Sequence, residues 1–477
     1  MKMAEAIRPD LCIVGAGALG VALARHARHR GLEVTLVDRG RAEPGDIQAH
    51  ATKLAGLAAS AAHAQALRRN GHFGIGPETP KVAMKAIQER LDHLVGQMEP
   101  ETSRDRLAAL GIGVVAGASR FVDASGLKVG DDVVRPRRFI LAVGGHPALP
   151  DVPGLDEIAV FDPASLLDNS RKLTHLLVIG GDESAVCLAQ AYRRLGTAVS
   201  LVPQGALLAD YDPEAVAMLV RHLSDEEVTV LDGAMVQEIQ PRRQGTGIVL
   251  AMPNGDADTL DVSHVLVSTG RVADVSDLDL VAAKLTMEPD GSLQVRAGGR
   301  SSNRLVRLAG IAAGIGQWGE ALAQGQAIVD AVAGVAAKRQ GFVPPKLVPT
   351  DPPLVQIGRS ALLRGKSPAR IQVLRASLSE NLAALAAGVD LGLLKVLVGG
   401  DDKIVGGAAF GFGAAETAAV LAFAMENGVD FSRLADPAVP APGALVALSD
   451  LARRHAAARP ESPWASRRRA ARRLLPW

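Results

Sequence analysis

DLCIVGAGALGVALARHARHRGLEVTLVDRG, residues 10–40, decides the fold. Four apolar residues, Leu11 to Val14, run into a glycine turn. A helical stretch follows, and a second apolar run ends at Asp38. Gly15, Gly17 and Gly20 form G-x-G-x-x-G, Ala24 stands where the helix must lie close to a sheet, and Asp38 is placed to accept a ribose hydroxyl. Glycines here let the backbone approach a pyrophosphate, while the helix N-terminus supplies amides and a favourable dipole. Strand, turn, helix and strand together read as a dinucleotide-binding unit.

A second unit opens with VIGGDESAVCLAQAYRRLG, residues 178–196, and closes with AVSLVPQG. In register with the first, Gly180 is the first glycine, Asp182 takes the place of the second and Ala185 that of the third. A carboxylate about 4–5 Å from a pyrophosphate costs roughly 3–4 kcal/mol per charge pair at an effective dielectric near 20. The closing strand carries no acid for a ribose hydroxyl and no arginine for a 2′-phosphate. Asp182 and Glu183 are instead what a helix prefers at its cap and first turn. The expectation is a self-capped helix and a lost nicotinamide site.

Outside these units the composition narrows the class. The chain has 477 residues, too many for one ordinary core. Apolar residues make up 48% but aromatics only 3%, the palette of close-packed α/β layers. A net charge of +1 gives no overall field for nucleic acid or membrane. No apolar run is long enough to span a bilayer, and the opening MKMAEAIRPDLCIVG lacks the regions of a signal peptide. Two cysteines, Cys12 and Cys187, sit in apolar elements far apart, so no disulfide framework exists and a reducing cytoplasm is the expected home. His26 and His29 share a helix face without acidic company and read as solvated.

Further along, residues 48–110 read as helical, interrupted at NGHFGIGPETP, and short strands follow in IGVVAGASRFVD and RRFILAVGGHPALPDVPGL. HVLVSTGRVADV reads as a return to the first domain. TDPPLVQIG and GGAAFGFGAAE begin a third region of strands and covering helices. SRRRAARRLLPW, with Trp464 and Trp477 in the last 27 residues, reads as a basic mobile or surface-lying tail that could touch anionic lipid or a partner.

These landmarks, in this order, resemble the FAD-dependent pyridine nucleotide-disulfide oxidoreductases over about residues 10–450. The resemblance implies two Rossmann-like domains, the second inserted in the first, plus an α+β interface domain. It places FAD in residues 1–150 and 265–345, an NAD(P)-binding-like domain in 151–264, homodimerisation in 346–450 and the basic tail in 451–477. Matched by position, FAD contacts fall on Gly15, Gly17, Ala18, Gly20, Asp38, Arg39, Lys53, Ala118, Ala142, Gly144 and Gly310.

The resemblance also marks what is missing. Members carry C-x-x-x-x-C and then Pro-Ser-Lys, where this chain reads RAEPGDIQAHATKLAGLAA. With Lys53 in the lysine position, Ala49 replaces the second cysteine and the first falls near Pro44 or Ile47. Without two thiols in reach there is no redox-active disulfide. The His-Pro-Thr-x-x-Glu segment that supplies a proton-transferring histidine corresponds to VPAPGALVALSD, with Ala441 and Val446 in the two working places. Ile311 replaces the aspartate that holds the FAD ribityl chain. Cys187 stands where the family has a glutamate that pairs with the lysine beside flavin N5, here Lys53. That makes Cys187 and Lys53 the only candidates for chemistry, although an apolar helix face favours an inert thiol. No catalytic residue and no metal are assigned. The sequence thus points to a flavoprotein oxidoreductase homologue that binds FAD, lacks disulfide reductase chemistry and has a degenerate NAD(P)H site. The alternative is a catalytically silent binding or scaffold protein paired with an active paralogue.

Overall fold

The apolar run of residues 11–14 has no polar alternation because both of its faces are covered. In the computed structural model, β1 (Leu11–Val14) is fully buried. Cys12 and Val14 pack into one core cluster, Leu11 and Ile13 into another. Such two-sided burial is the mark of a parallel sheet between layers. The structure describes residues 6–40, 46–97, 104–335, 344–358, 371–436 and 438–459. The chain divides into two units: 1–210, 219–340 and 344–351 form one, and 211–218, 341–343 and 352–477 form the other.

The first unit holds two parallel sheets. One has the order Val306–Leu308, Arg138–Leu141, β1, β2 (Val34–Asp38) and β3 (Gly113–Ala116). Between β1 and β2 runs α1 (Ala18–His29), whose Leu19, Leu23, Ala24 and Ala27 are buried on the sheet side. The helix Trp318–Val332 joins α1 over the same face, and the antiparallel strands Ser119–Asp123, Gly126–Val129 and Asp132–Val134 lie toward the other. After β2 come α2 (Ile47–Arg69) and α3 (Met84–Gly96), where the sequence predicted an interrupted helical region.

The second parallel sheet runs Thr229–Val230, Ala198–Val202, His175–Ile179, His264–Val267 and Val160–Phe161. This corrects one expected boundary. The expected boundary puts Val265–Val267 with the first domain, yet Leu266 and Val267 pair with Val178 and Ile179. The chain leaves this sheet only after Val267, and Arg271–Ala273 then pairs with Gly145–Pro147. Apolar content alone does not say which sheet a strand joins.

The other unit contains an antiparallel sheet in the order Leu354–Gly358, Ile404–Phe410, Leu393–Val398, Gln372–Ala376. Its helices Ala414–Glu426 and Val446–Ala458 share one core with it. The second helix corrects the tail boundary at 451: Leu448, Leu451, Ala452 and His455 are buried at helical spacing. Residues 460–477, with the arginine-rich run and its expected surface contact, lie outside the described residues. No helix among the described residues is long and apolar enough to cross a membrane.

Candidate dinucleotide site

The carboxyl ends of parallel strands are where such sheets bind ligands. Most of the residues matched to FAD gather there. Gly15 follows β1, Asp38 ends β2, Ala118 lies just past β3, Ala142 and Gly144 follow Arg138–Leu141, and Gly310 follows Val306–Leu308. Two of the three glycines are required by the chain itself. Gly15 has φ +115°, and a Cβ there would run into the carbonyl oxygen of Ala142; a Cβ on Gly20 would run into that of Gly15. Gly17 is different. It caps α1 without a side-chain bond, and a Cβ on it would meet only Asp46 Oδ2, at 3.0 Å.

Asp46 is the residue that the sequence reading missed. Its Oδ2 accepts from Ala18 N at 2.6 Å, in the first turn of α1. Its Oδ1 accepts from Gln48 N at 2.9 Å and Ala49 N at 3.2 Å, capping α2. One carboxylate therefore serves two helix N-termini, each of which favours an anion. Asp-x-x-Ala before a helical run would have revealed the α2 cap. Nothing local announces the bond to Ala18, 28 residues away.

At the second turn, Gly180 has φ +136° and faces the Ser268 carbonyl. Asp182 caps the helix Glu183–Arg194: its Oδ1 accepts from Ala185 N at 2.8 Å and from Ser268 Oγ at 2.7 Å. Burial pushes the carboxyl up to about 6, against the pull of those donors.

Three of the candidate residues, Arg39, Lys53 and Cys187, have partners within the chain. The Arg39 guanidinium donates to Asp274 O at 2.8 Å and pairs with Asp277, so it is held by the chain. Lys53 does not meet Cys187; its Nζ lies 2.5 Å from Asp168 and 2.7 Å from Asp92. Cys187 is buried, its Sγ donates to Pro349 O at 3.2 Å, and desolvation pushes the thiol up to about 12. The physical reason is simple: two carboxylates attract the ammonium more than a neutral thiol does. His26, read as solvated, lies 2.7 Å from Asp330 Oδ1. Ile311 packs beside Gly145, where a Cβ would touch its Cγ2 at 2.9 Å. Ala441 and Val446 bring no proton-transferring group. Pro44 lies outside the described residues.

A pair unseen in the sequence joins α2 to the helix Glu183–Arg194. His50 Nε2 and Ser184 Oγ are 3.1 Å apart. Burial and the Arg271 charge lower the imidazole to about 4, and its buried Nδ1 has no partner. So weak a base takes little from a serine hydroxyl. Among the described residues no cluster of three metal-ligating side chains occurs.

Known proteins resemble this chain. Residues 9–325 match the family described as pyridine nucleotide-disulphide oxidoreductase. The chain is 26% identical over 436 residues to the mercuric reductase of Streptomyces lividans, covering 89% of this chain and 92% of that one. It is 24% identical over 432 residues to the dihydrolipoyl dehydrogenase of Geobacillus stearothermophilus, covering 89% and 91%. Against the mercuric reductase of Staphylococcus aureus it is 26% identical over 311 residues and spans only 55% of that protein's length. Among solved structures, the HOCl-induced flavoprotein disulfide reductase RclA of Escherichia coli superposes with a TM-score of 0.76 at 20% identity, over 93% of this chain and 99% of that one. With a match over residues 9–325 and the ordered strand ends above, this chain belongs to the pyridine nucleotide-disulphide oxidoreductase family.

Proposed function

We propose that this chain is an FAD-binding oxidoreductase homologue that does not pass electrons through a disulfide. Members of the family bind FAD and NAD(P)H and are typically homodimers. For this chain the reading assigns FAD to the first glycine turn, a degenerate NAD(P)H site to the second, and self-association to residues 346–450. The observation that carries it is the donor chemistry at α1: a helix N-terminus, a turn bare of side chains at Gly17, and an amide already bonded to an anion. Those residues fit a pyrophosphate in the place of the Asp46 carboxylate. Gly15, Gly17, Ala18 and Gly20 would hold it, with Asp38 toward the ribose. Asp38 Oδ1 accepts from Gly40 N at 2.9 Å, which orients the carboxylate. When bound, FAD supplies two-electron redox chemistry. The chain's part is to bind it and orient it.

The absence of disulfide chemistry rests on Ala49, Ala441 and Val446 in the three key places and on a buried, protonated Cys187. A second reading, a catalytically silent binding protein, is favoured by the same Asp46 contact, because the cofactor must displace it. One titration separates the two. Purified full-length chain is mixed with FAD and its visible spectrum recorded, then NADH and an aromatic disulfide are added. We expect flavin bands that persist through desalting and no NADH-driven disulfide cleavage. Rapid disulfide turnover would overturn the proposal. A colourless protein, even with Asp46→Asn and excess FAD, would favour the silent reading.

A further inference from the structure

The amino edge of the first sheet, opposite the glycine turns, carries an uncompensated group of arginines. Strand register puts them together. Arg307 pairs with Ile140, and Arg138 lies two residues before Ile140 on the same strand. Arg300 stands opposite Arg307 in an antiparallel bridge. Directly paired residues, and residues two apart, project to the same face of a sheet. Ile140 belongs to the cluster under α1 and the helix Trp318–Val332, so all three arginines share that face. There Arg138 and Arg307, with Arg137, line a cavity of about 260 Å³.

The carboxylate in this cavity is already committed. Asp10 Oδ1 pairs with Arg137 at 3.2 Å, and its Oδ2 accepts from Glu33 N at 3.0 Å. Arg138 donates to the carbonyl of Arg137 at 2.7 Å. Among the described residues, the side chains of Arg300 and Arg307 make no hydrogen bond or ion pair. Burial, then the charges of Arg300 and Arg138, lower Arg307 from the usual guanidinium range. The end of the helix Trp318–Val332 does not explain these cations. Three of its last four carbonyls are served by the chain: Ala333 N donates to Val329, Gly334 N to Ala331 and Val335 N to Asp330.

We propose that this cavity binds a small phosphate-bearing anion, clasped by Arg138 and Arg307, with Arg300, the bridge partner of Arg307, adding positive charge beside them. Guanidinium forks match phosphate oxygens in pairs, and several in one place suit a doubly charged group. The size excludes a dinucleotide but leaves room for a phosphate and a few carbons. Leu32 and Val332 give the cavity an apolar wall against which those carbons would lie. Inorganic phosphate and a phosphomonoester share the recognising chemistry; the wall favours the ester.

The test uses the full chain. Thermal unfolding is followed with inorganic phosphate, with glycerol 3-phosphate, and with sodium chloride at equal ionic strength, and affinities come from calorimetry. Both phosphates should raise the midpoint where chloride does not, and glycerol 3-phosphate should bind more tightly than phosphate. The reverse order would support the site with the free ion as its ligand. Arg307→Gln should weaken binding at least about tenfold, and the exposed Arg300→Gln about threefold. Without ligand, Arg307→Gln should unfold no earlier than wild type, since it removes repulsion rather than a contact. Phosphate bound at the glycine turns instead would survive both substitutions unchanged, and that result would overturn the proposal. So would equal effects of chloride and phosphate.

Discussion

The two glycine turns of this chain close in opposite ways. At the first, Gly17 leaves the turn bare, and the anion on the α1 amide comes from Asp46, on the next helix of the unit. At the second, the anion is written into the turn as Asp182, which caps its own helix and accepts from Ser268. Both satisfy a helix N-terminus with a carboxylate. They differ in what must move for a cofactor to enter. At the first turn one side chain must swing away from one amide. At the second, on the proposed reading, a residue inside the loop, held by bonds of 2.8 and 2.7 Å, takes the place of a phosphate. A carboxylate lent from elsewhere can be displaced; one built into the turn has to be replaced by mutation.

The largest expected effect concerns the helix that Asp182 starts. If the second turn is closed structure rather than a working site, its thiol should be inert. With Cys187 pushed up to about 12, the thiolate fraction at pH 8 is roughly a thousandfold below that of a free cysteine. Iodoacetamide should therefore label Cys187 about a thousand times more slowly in the folded chain than in denaturant. Labelling at the rate of a model thiol would break the contrast, because it would put a reactive group beside the turn that is described as closed.

Next comes the first turn. A pyrophosphate beside an unmoved Asp46 carboxylate would meet about 3–4 kcal/mol of repulsion per charge pair at an effective dielectric of 20, much of it relieved as the side chain turns to water. Asp46→Asn keeps an oxygen to cap α2 and removes the charge. FAD affinity should rise by about tenfold to a hundredfold, read by fluorescence quenching. In Asp182→Asn, NADH affinity should change far less. Equal gains at both turns would mean that they are closed in the same way.

How far the sequence disclosed these differences depends on the range of each interaction. Asp182 capping Glu183–Arg194 was legible because cap and helix are adjacent, and G-x-G-x-x-G announced the first turn through its own backbone needs. Asp46 on Ala18, His26 on Asp330 and Lys53 between Asp92 and Asp168 were not, since each joins positions that only the folded chain brings near. The same holds for His264–Val267, whose sheet is fixed by pairing with His175–Ile179 rather than by composition. The arginine face needed two strand pairings at once. Periodicity finds elements, whereas charge partners are tertiary facts.

An effect of comparable size gives the second turn a pH dependence. In the folded chain Asp182 holds its proton up to about pH 6, whereas an unfolded aspartate releases it near 3.9. The folded state therefore binds more protons across that window. The stabilising contribution is full below about pH 4 and lost as pH rises through 6, amounting to about 2–3 kcal/mol. Asn at this position caps the helix without titrating. The stability of Asp182→Asn relative to wild type should thus grow between pH 4 and pH 7.5, as measured by urea unfolding at each pH. A difference that does not vary with pH would show that the carboxyl is not held in its neutral form by the fold.

The smallest expected effect is at Lys53, the residue whose family position would set it beside a flavin. Its Nζ bridges Asp92 and Asp168, whose side chains are 48% and 54% exposed. Ion pairs in contact with water contribute little, because solvent screens them and both long side chains lose freedom. Lys53→Met keeps the aliphatic stem on α2 and deletes the ammonium. Stability should fall by less than about 1 kcal/mol, and the loss should shrink in 0.5 M salt. In a flavin-loaded chain the visible spectrum should stay the same, since the ammonium is held by carboxylates on α3 and beyond the helix Pro163–Leu167. A shifted flavin band in Lys53→Met would mean that the ammonium leaves these partners when the cofactor binds. The first turn would then rearrange beyond Asp46 alone, and its closure would be a property of the whole α2 segment rather than of one displaceable side chain.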